Sequence, residues 1–233
     1  MNPSALRQAW TGAGPEAAPV ETDMPVPRLY LVIPPLPTDG TLCDLEVLLD
    51  GFDIACVRVG AGATSEAELR RAADAVRPLC HSRDVNLVLT DHFRLAPGLG
   101  LDGVHLNDGQ RHVREARKLL GPDAIVGAFA GASRHDGMTA AEIGADYVSF
   151  GPVAHSPLGD GTIAEIDLFR WWSEMIETPV VAEGGITPDI ATELANCADF
   201  LALGDEIWSH PQGSEAALRQ IVERLASEQE SHD

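Results

Sequence analysis

At seven points along this chain, residues able to bind anions, metals or protons stand at or just past the end of a short β-prone run. They are Arg58; Thr90-Asp91-His92; His105 with Asn107-Asp108; Ser133-Arg134-His135-Asp136; Gly151-Pro152 with His155-Ser156; Glu183-Gly184-Gly185; and Gly204-Asp205-Glu206. Arg58 is suited to clamping a phosphate or a ring, and an ion pair with Asp91 is the equal alternative. Asp91 offers hard oxygens of the kind Mg²⁺ takes when a phosphorylated substrate supplies further ligands, with Asp108 as a second donor. On spacing alone Asp91 reads better as the cap of the following helix. The glycines at Gly184-Gly185 and Gly204 leave backbone N–H groups open to an anion or simply permit tight turns; two such loops in succession point to phosphate. Glu183 beside them is a general-base candidate, with solvent or an arginine as its plainer partner. His92, His105, His135 and His155 share no metal-ligand spacing, and a lone histidine inside a strand, such as His105, reads as a hydrogen-bonded core residue.

These groups need elements to hold them. Strand candidates run Leu29–Ile33, Ile54–Val59, Asn86–Thr90, Gly103–Leu106, Ile125–Phe129, Tyr147–Phe150, Val180–Glu183 and Phe200–Leu203. Helix candidates fall between and after them: Leu42–Leu49, Ser65–Ser82, Phe93–Leu99, Gln110–Leu120, Thr139–Ile143, Glu165–Ile176, Pro188–Ala195 and Ser214–Leu225. Ser65 with Glu68 has the form of a capping box, Thr187-Pro188 the form of a helix start, and Ser214 that of a cap for the last helix. Regular alternation over about 200 residues implies an α/β fold, a single-domain (β/α)8 TIM barrel. Its rival, an open doubly wound sheet, loses its usual support because no GxGxxG follows the first strand. The expected organisation is a flexible arm over 1–26, with a short helix near Ala5 to Trp10, the barrel over 27–228 and a polar tail over 229–233. In such a barrel the active site lies at the carboxyl ends of the strands, where the residues above cluster.

Composition sets the outer bounds. The 233 residues carry 16 Lys+Arg against 36 Asp+Glu, a net charge of −20, so nucleic acid and anionic membrane surfaces are repelled and no partner of either kind is expected. Lys118 is the only lysine. Four scattered cysteines form no CxxC pair; Cys56 and Cys80 read as small buried hydrophobes, and the setting as reducing and cytoplasmic. The first twenty residues lack the apolar core of a signal peptide, and no run is long enough to span a membrane. Trp171-Trp172, mid-helix, would send one ring inward and one to a rim or interface, consistent with a homodimer.

Several segments, in order and at fixed spacing, resemble the thiamine phosphate synthase and TenI family. They are Leu29-Tyr30-Leu31-Val32, Val57-Arg58, Asp91, Asp102-Gly103-Val104-His105-Leu106, Ile125-Val126-Gly127, Gly144-Ala145-Asp146-Tyr147-Val148, Phe150-Gly151-Pro152-Val153 and Val180-Val181-Ala182-Glu183-Gly184-Gly185-Ile186. The resemblance implies a (β/α)8 barrel that joins a pyrimidine pyrophosphate to a thiazole phosphate with Mg²⁺, pyrophosphate leaving before the thiazole nitrogen captures a pyrimidine cation. It further implies small phosphorylated substrates, Arg58 as the arginine after the second strand, and Asp91 as the first metal ligand; the family's second aspartate falls at Gln110, with Asp108 nearby as the candidate in its place. By the same resemblance Ser156 takes the place of the first threonine after the sixth strand, and Gly151, Gly184, Gly185, Gly204 and Asp205 bind substrate or phosphate; the serine expected after the fifth strand aligns with Phe129, and a shift of the chain would bring Ser133 to its place.

The chain departs from the family pattern where cations and one pyrimidine contact are expected. Gln-x-Arg-x-Lys is here Cys56-Val57-Arg58-Val59-Gly60, and Thr-x-Thr-Lys is Ser156-Pro157-Leu158-Gly159. Each charge-assisted contact to a pyrophosphate is worth roughly 1.5–3 kcal/mol, so two absent ammonium groups weaken leaving-group stabilisation by several. Arg134, His135 and His155 are the candidates to compensate. Two alternatives to the synthase follow: a non-catalytic or regulatory barrel that binds a phosphorylated ligand, and a TenI-like thiazole tautomerase with His135 over the ring.

Overall fold

A computed structural model describes residues 26–60, 62 and 64–229. The expected arm, apart from Val26, and the tail, apart from Gln229, lie outside the described residues, as does the short helix expected near Ala5 to Trp10. Strands β1 (Arg28–Ile33), β2 (Ile54–Val59), β3 (Asn86–Thr90), β4 (Gly103–Leu106), β5 (Ile125–Phe129), β6 (Tyr147–Phe150), β7 (Val180–Glu183) and β8 (Phe200–Leu203) are parallel and close into a barrel in sequence order. β1 completes the ring by pairing with β8, with Leu29 opposite Leu201 and Leu31 opposite Leu203. Around it stand α1 (Asp39–Gly51), α2 (Glu66–His81), α3 (Ala96–Leu99), α4 (Val113–Leu120), α5 (Arg134–Glu142), α6 (Ile166–Met175), α7 (Pro188–Leu194), α8 (Asp205–Trp208) and α9 (Ser214–Gln229).

Strand side chains alternate between two environments, as the two-residue period requires. One set, including Leu29, Leu31, Val57, Leu87, Val104, Val148, Val180 and Leu201, packs outward against the helices in the larger apolar core. The other set, Tyr30, Cys56, Val88, Ile125, Tyr147, Val181, Phe200 and Ala202, fills the barrel interior. The buried polar strand residues Arg58, Asn86, Thr90, His105, Ser149 and Glu183 fall in phase with this inner set. Apart from Asn86 at the start of β3, these polar groups lie in the second half of their strands, so the interior is mostly apolar toward the strand starts and polar toward their ends.

The opposite face is tied by a repeated device. Asp102, Asp146 and Asp199 each precede a strand, and each accepts a hydrogen bond from the first or second N–H of the strand before it: Leu87 (2.7 Å), Val126 (2.8 Å) and Val180 (2.7 Å). Burial pushes the Asp199 carboxyl up from its ordinary value, and the Val180 N–H pulls back against that.

Helix boundaries show where the expectations need correction. Ser65–Glu68 and Thr187 cap as expected. α1 begins earlier than Leu42, because Thr38 and Thr41 form a second capping box. α3 is confined to Ala96–Leu99, since Pro97 has no N–H with which to extend the helix back to Phe93. α5 begins at Arg134 rather than Thr139. Gly137 within it masks the helical period but is required: a Cβ there would lie 2.7 Å from Phe150 and 2.8 Å from Trp172. Ser214 is the first residue of α9 rather than its cap, and the Gly213 carbonyl accepts from the Ala217 N–H. Trp172 is fully buried, its indole N–H donating to the Thr178 carbonyl (2.7 Å), while Trp171 is half-buried under the Arg134 guanidinium.

Candidate active site

The strand ends open into a cavity of about 350 Å³ whose lining includes Arg58, Thr90, Asn107, Ser156, Glu183 and Glu206. Its floor is an ion pair. Arg58, 5% exposed, donates through Nη2 to Glu183 Oε2, and the Ser149 hydroxyl donates to Glu183 Oε1 (2.7 Å). Glu183 rather than Asp91 is thus the partner of Arg58, and Glu183 is buried rather than solvated. Burial, the largest single influence, opposes the arginine's charge, but the Glu183 carboxylate together with Tyr30 and Tyr147 outweighs it, and the guanidinium stays protonated. Two further nitrogens of Arg58, Nε and Nη1, are buried and lack a hydrogen-bond partner. A buried guanidinium with unpaired donors beside a cavity is suited to a second anion.

Beneath the pair runs a chain of hydrogen bonds: Tyr30 Oη to Tyr147 Oη (2.8 Å) and Tyr147 Oη to His105 Nδ1 (2.9 Å), with His105 Nε2 3.7 Å from Glu183 Oε1. Burial drives both phenols well above their ordinary value, so each keeps its proton. The consistent assignment has Tyr30 donating to Tyr147, Tyr147 donating to Nδ1, and the imidazole proton on Nε2, facing Glu183. Burial, reinforced by the Arg58 charge, holds His105 well below 6.5, so it is neutral, the core residue its strand position suggested. A pH effect follows. Below about pH 6.5 the unfolded chain binds a proton at this histidine that the folded protein refuses, so stability falls with acidification by up to about 1.4 kcal/mol per pH unit from this group and is unaffected above. Urea unfolding at neutral and mildly acidic pH should show a smaller acid loss for His105→Asn, which keeps an acceptor near Nδ1; an equal loss would exclude the assignment.

The upper wall holds the glycine loops. Gly184 and Gly185 both have φ +82°, a left-handed conformation that turns successive N–H groups toward one point. The N–H groups of Gly185 and Ile186 (3.3 Å) donate to Glu206 Oε1, and that of Gly204 donates to Oε2 (2.8 Å). Sequence reasoning identified the loops and placed Glu206 at the end of the eighth strand, but gave it no role in holding them. Gly184, Gly204 and Asp205 line the cavity, as does Ser156.

Other expected site residues sit elsewhere. The Gly151 N–H is taken by the Gly131 carbonyl (3.1 Å), so this glycine offers no donor to a phosphate; its role is close approach, since a Cβ would lie 2.1 Å from the Glu183 carbonyl oxygen. Ser133 caps α5 by accepting from the Asp136 N–H. Arg134 stacks on Trp171, and His135, His155 and Lys118 are exposed; none lines the cavity, so none replaces the absent lysines there, and His135 is not placed over a ring bound in it. Asp91 and Asp108 share a neighbouring hollow of about 430 Å³, separated from the main cavity by Asn107, which lines both. Asp91, at φ +61°, accepts from the Asn107 N–H (2.6 Å) rather than capping a helix, and Asp108 pairs with His112.

Comparison with known proteins agrees with this architecture. A sequence model of the thiamine monophosphate synthase family matches residues 29–207. The thiamine-phosphate synthase of Rhodospirillum centenum is 43% identical over 196 residues, covering 82% of this chain and 94% of that protein. That of Erythrobacter litoralis is 37% identical over 213 residues, covering 89% and 99%. Among solved structures, thiamine phosphate pyrophosphorylase from Pyrococcus furiosus superposes with a TM-score of 0.75 over 86% of this chain and 96% of its own, at 22% identity, a likeness of fold. By sequence over most of its length, and by a barrel of the same architecture, this chain belongs to the thiamine monophosphate synthase family.

Proposed function

We propose that the protein condenses a pyrimidine pyrophosphate with a thiazole phosphate, forming a carbon–nitrogen bond and releasing pyrophosphate. The observation that carries this reading is Arg58: a buried guanidinium, paired with Glu183 through Nη2 and with Nε and Nη1 unpartnered, in a cavity that Gly184 and Gly204 of the two glycine loops also line. Departure of pyrophosphate leaves negative charge on the oxygen that breaks from the pyrimidine, and the Arg58 charge, held in place by Glu183, is positioned to stabilise it. Tyr30, Tyr147 and His105, all neutral, line the interior below and hold no charge that would quench a pyrimidine cation.

The donor set fits Mg²⁺ in a particular way. No cluster of three or more acidic, histidine or cysteine side chains is present among the described residues, and Asp91 and Asp108 each have one oxygen engaged. Two carboxylates with the remaining ligands left to water and substrate phosphate oxygens is the pattern Mg²⁺ accepts. When bound there, the ion would neutralise charge on the phosphates. Asp91→Asn is expected to lower kcat/KM at least about tenfold and to raise the Mg²⁺ concentration needed for half-maximal rate; unchanged Mg²⁺ dependence would exclude Asp91 as a ligand.

The deciding assay supplies both substrates and Mg²⁺ and follows thiamine phosphate. Product supports the reading; no product, with thiazole phosphate still bound, would replace it with the non-catalytic barrel. The reducing, cytoplasmic setting belongs to the same reading, supported by four free cysteines. So does a homodimer, for which sedimentation equilibrium should give twice the chain mass.

A further inference from the structure

We propose that Glu206 is a built-in occupant of the phosphate cradle, which an incoming phosphate must displace, and that it thereby sets the cradle's selectivity for phosphorylated over neutral ligands. The proposal rests on the reading of the loops after β7 and β8 as the phosphate site. The Glu206 carboxylate takes N–H donors from both loops at once: Gly185 and Ile186 through one oxygen, Gly204 through the other. A phosphate bound at these loops would use the same three donors. The side chain is not locked in a closed core. Glu206 is partly exposed and lines the main cavity, so it has space into which to withdraw. A second, independent feature of the same cavity calls for an anion that Glu206 does not supply: Nε and Nη1 of Arg58 are buried without a partner.

The competition is unequal in a useful way. A phosphate dianion brings more charge and more acceptor oxygens than one carboxylate, so it can displace Glu206 from the three donors. A ligand ending in a hydroxyl brings neither, and leaves the carboxylate in place. The tethered carboxylate lowers apparent affinity by the fraction of time the cradle is open; if Glu206 holds it for nine-tenths of the time, the apparent Kd rises about tenfold. The selectivity thus comes from an occupant that has to be outbid, as well as from contacts to the right ligand.

The test is a titration with inorganic phosphate, read by the ¹⁵N–¹H resonances of Gly185, Ile186 and Gly204 in the full chain. In Glu206→Ala these amides should half-saturate at a phosphate concentration at least about tenfold lower than in the unsubstituted protein. Glu206→Gln keeps one carbonyl acceptor for the loops and guards against misfolding of the alanine variant; its midpoint should fall between the two. Equal midpoints in all three proteins, or no response of these amides in any, would overturn the proposal. The synthase assay on the unsubstituted protein separates this from the function itself. Product formed with unshifted midpoints removes the role of Glu206 alone, whereas shifted midpoints with no product remove the synthase reading alone.

Discussion

Arg58→Ala is expected to lower kcat/KM for thiamine phosphate formation about 100-fold or more and, separately, to destabilise the barrel by about 3–5 kcal/mol. The two effects come from two roles of one guanidinium. Arg58 lines the cavity with Nε and Nη1 unpartnered, and among the described residues no lysine or second arginine lines it to take over. Through Nη2 it also neutralises Glu183, which is 2% exposed and would otherwise keep only the Ser149 hydroxyl as a hydrogen-bond partner. Removing one member of a buried ion pair leaves the other charged in a poor solvent, which costs more than the pair itself was worth. A second variant divides the effects. Arg58→Met combined with Glu183→Gln removes both charges, so denaturant unfolding should recover most of the lost stability, while steady-state turnover should remain as low as in Arg58→Ala. A rate within about twofold of the unsubstituted enzyme in Arg58→Ala would refute the assignment of Arg58 to the leaving group. Full stability of Arg58→Ala would refute the account of the floor.

These results bear on how far the site could be read from the amino acids. Strand limits were legible because most strands are short apolar runs ended by glycine or a polar residue, as Val148-Ser149-Phe150 is by Gly151. Helix starts were less so where local chemistry overrides periodicity: Pro97 withholds the N–H that would begin α3 sooner, and Gly137 interrupts the pattern of α5 for the sake of Phe150 and Trp172. Arg58 was legible as an anion group because it ends a strand. Its partner was not, since Arg58 and Glu183 lie 125 positions apart and meet only when the barrel closes. Asp91 and Arg58 looked close because consecutive strands are neighbours, yet Asp91 turns at positive φ to hold the Asn107 N–H and faces another hollow. Glu206 was illegible for a different reason. Its position gives an acidic residue after a strand, and only the curl of its side chain back over two loops makes it an anion in an anion site. The absent lysines make this cavity less positive than the family pattern would have it, and so put more of the work of holding pyrophosphate on Arg58.

Gly127→Ala, one added methyl, is expected to destabilise the protein by more than the roughly 1–3 kcal/mol usual for overpacking a core. Gly127 lies opposite His105 on β4 and Tyr147 on β6 in the strand registers. A Cβ at this position would sit 2.0 Å from Tyr147 Cζ and 2.4 Å from its hydroxyl, far inside contact distance. The ring has nowhere to go. It is fully buried, stacked on His105 at a centroid distance of 5.6 Å, and its hydroxyl is fixed by both Tyr30 and His105. Relief must therefore come from parting β5 and β6 or from expelling the phenol and leaving two buried polar groups unpaired, each a cost of about 1–3 kcal/mol. A double-mutant cycle isolates the cause. Tyr147→Leu alone should be destabilising, but adding Gly127→Ala to it should cost little further, because the atoms that clash are gone; the two losses would then be strongly sub-additive. If urea unfolding instead shows additive losses, or wild-type stability for Gly127→Ala, the ring does not occupy the space over Gly127. The same cycle reaches the site. His105 is held between this tyrosine and the Arg58–Glu183 floor, so a ring displaced by one methyl at Gly127 should carry His105 with it and lower turnover in the protein that remains folded, a loss that Tyr147→Phe, which keeps the ring and drops only the hydroxyl, should produce to a smaller degree.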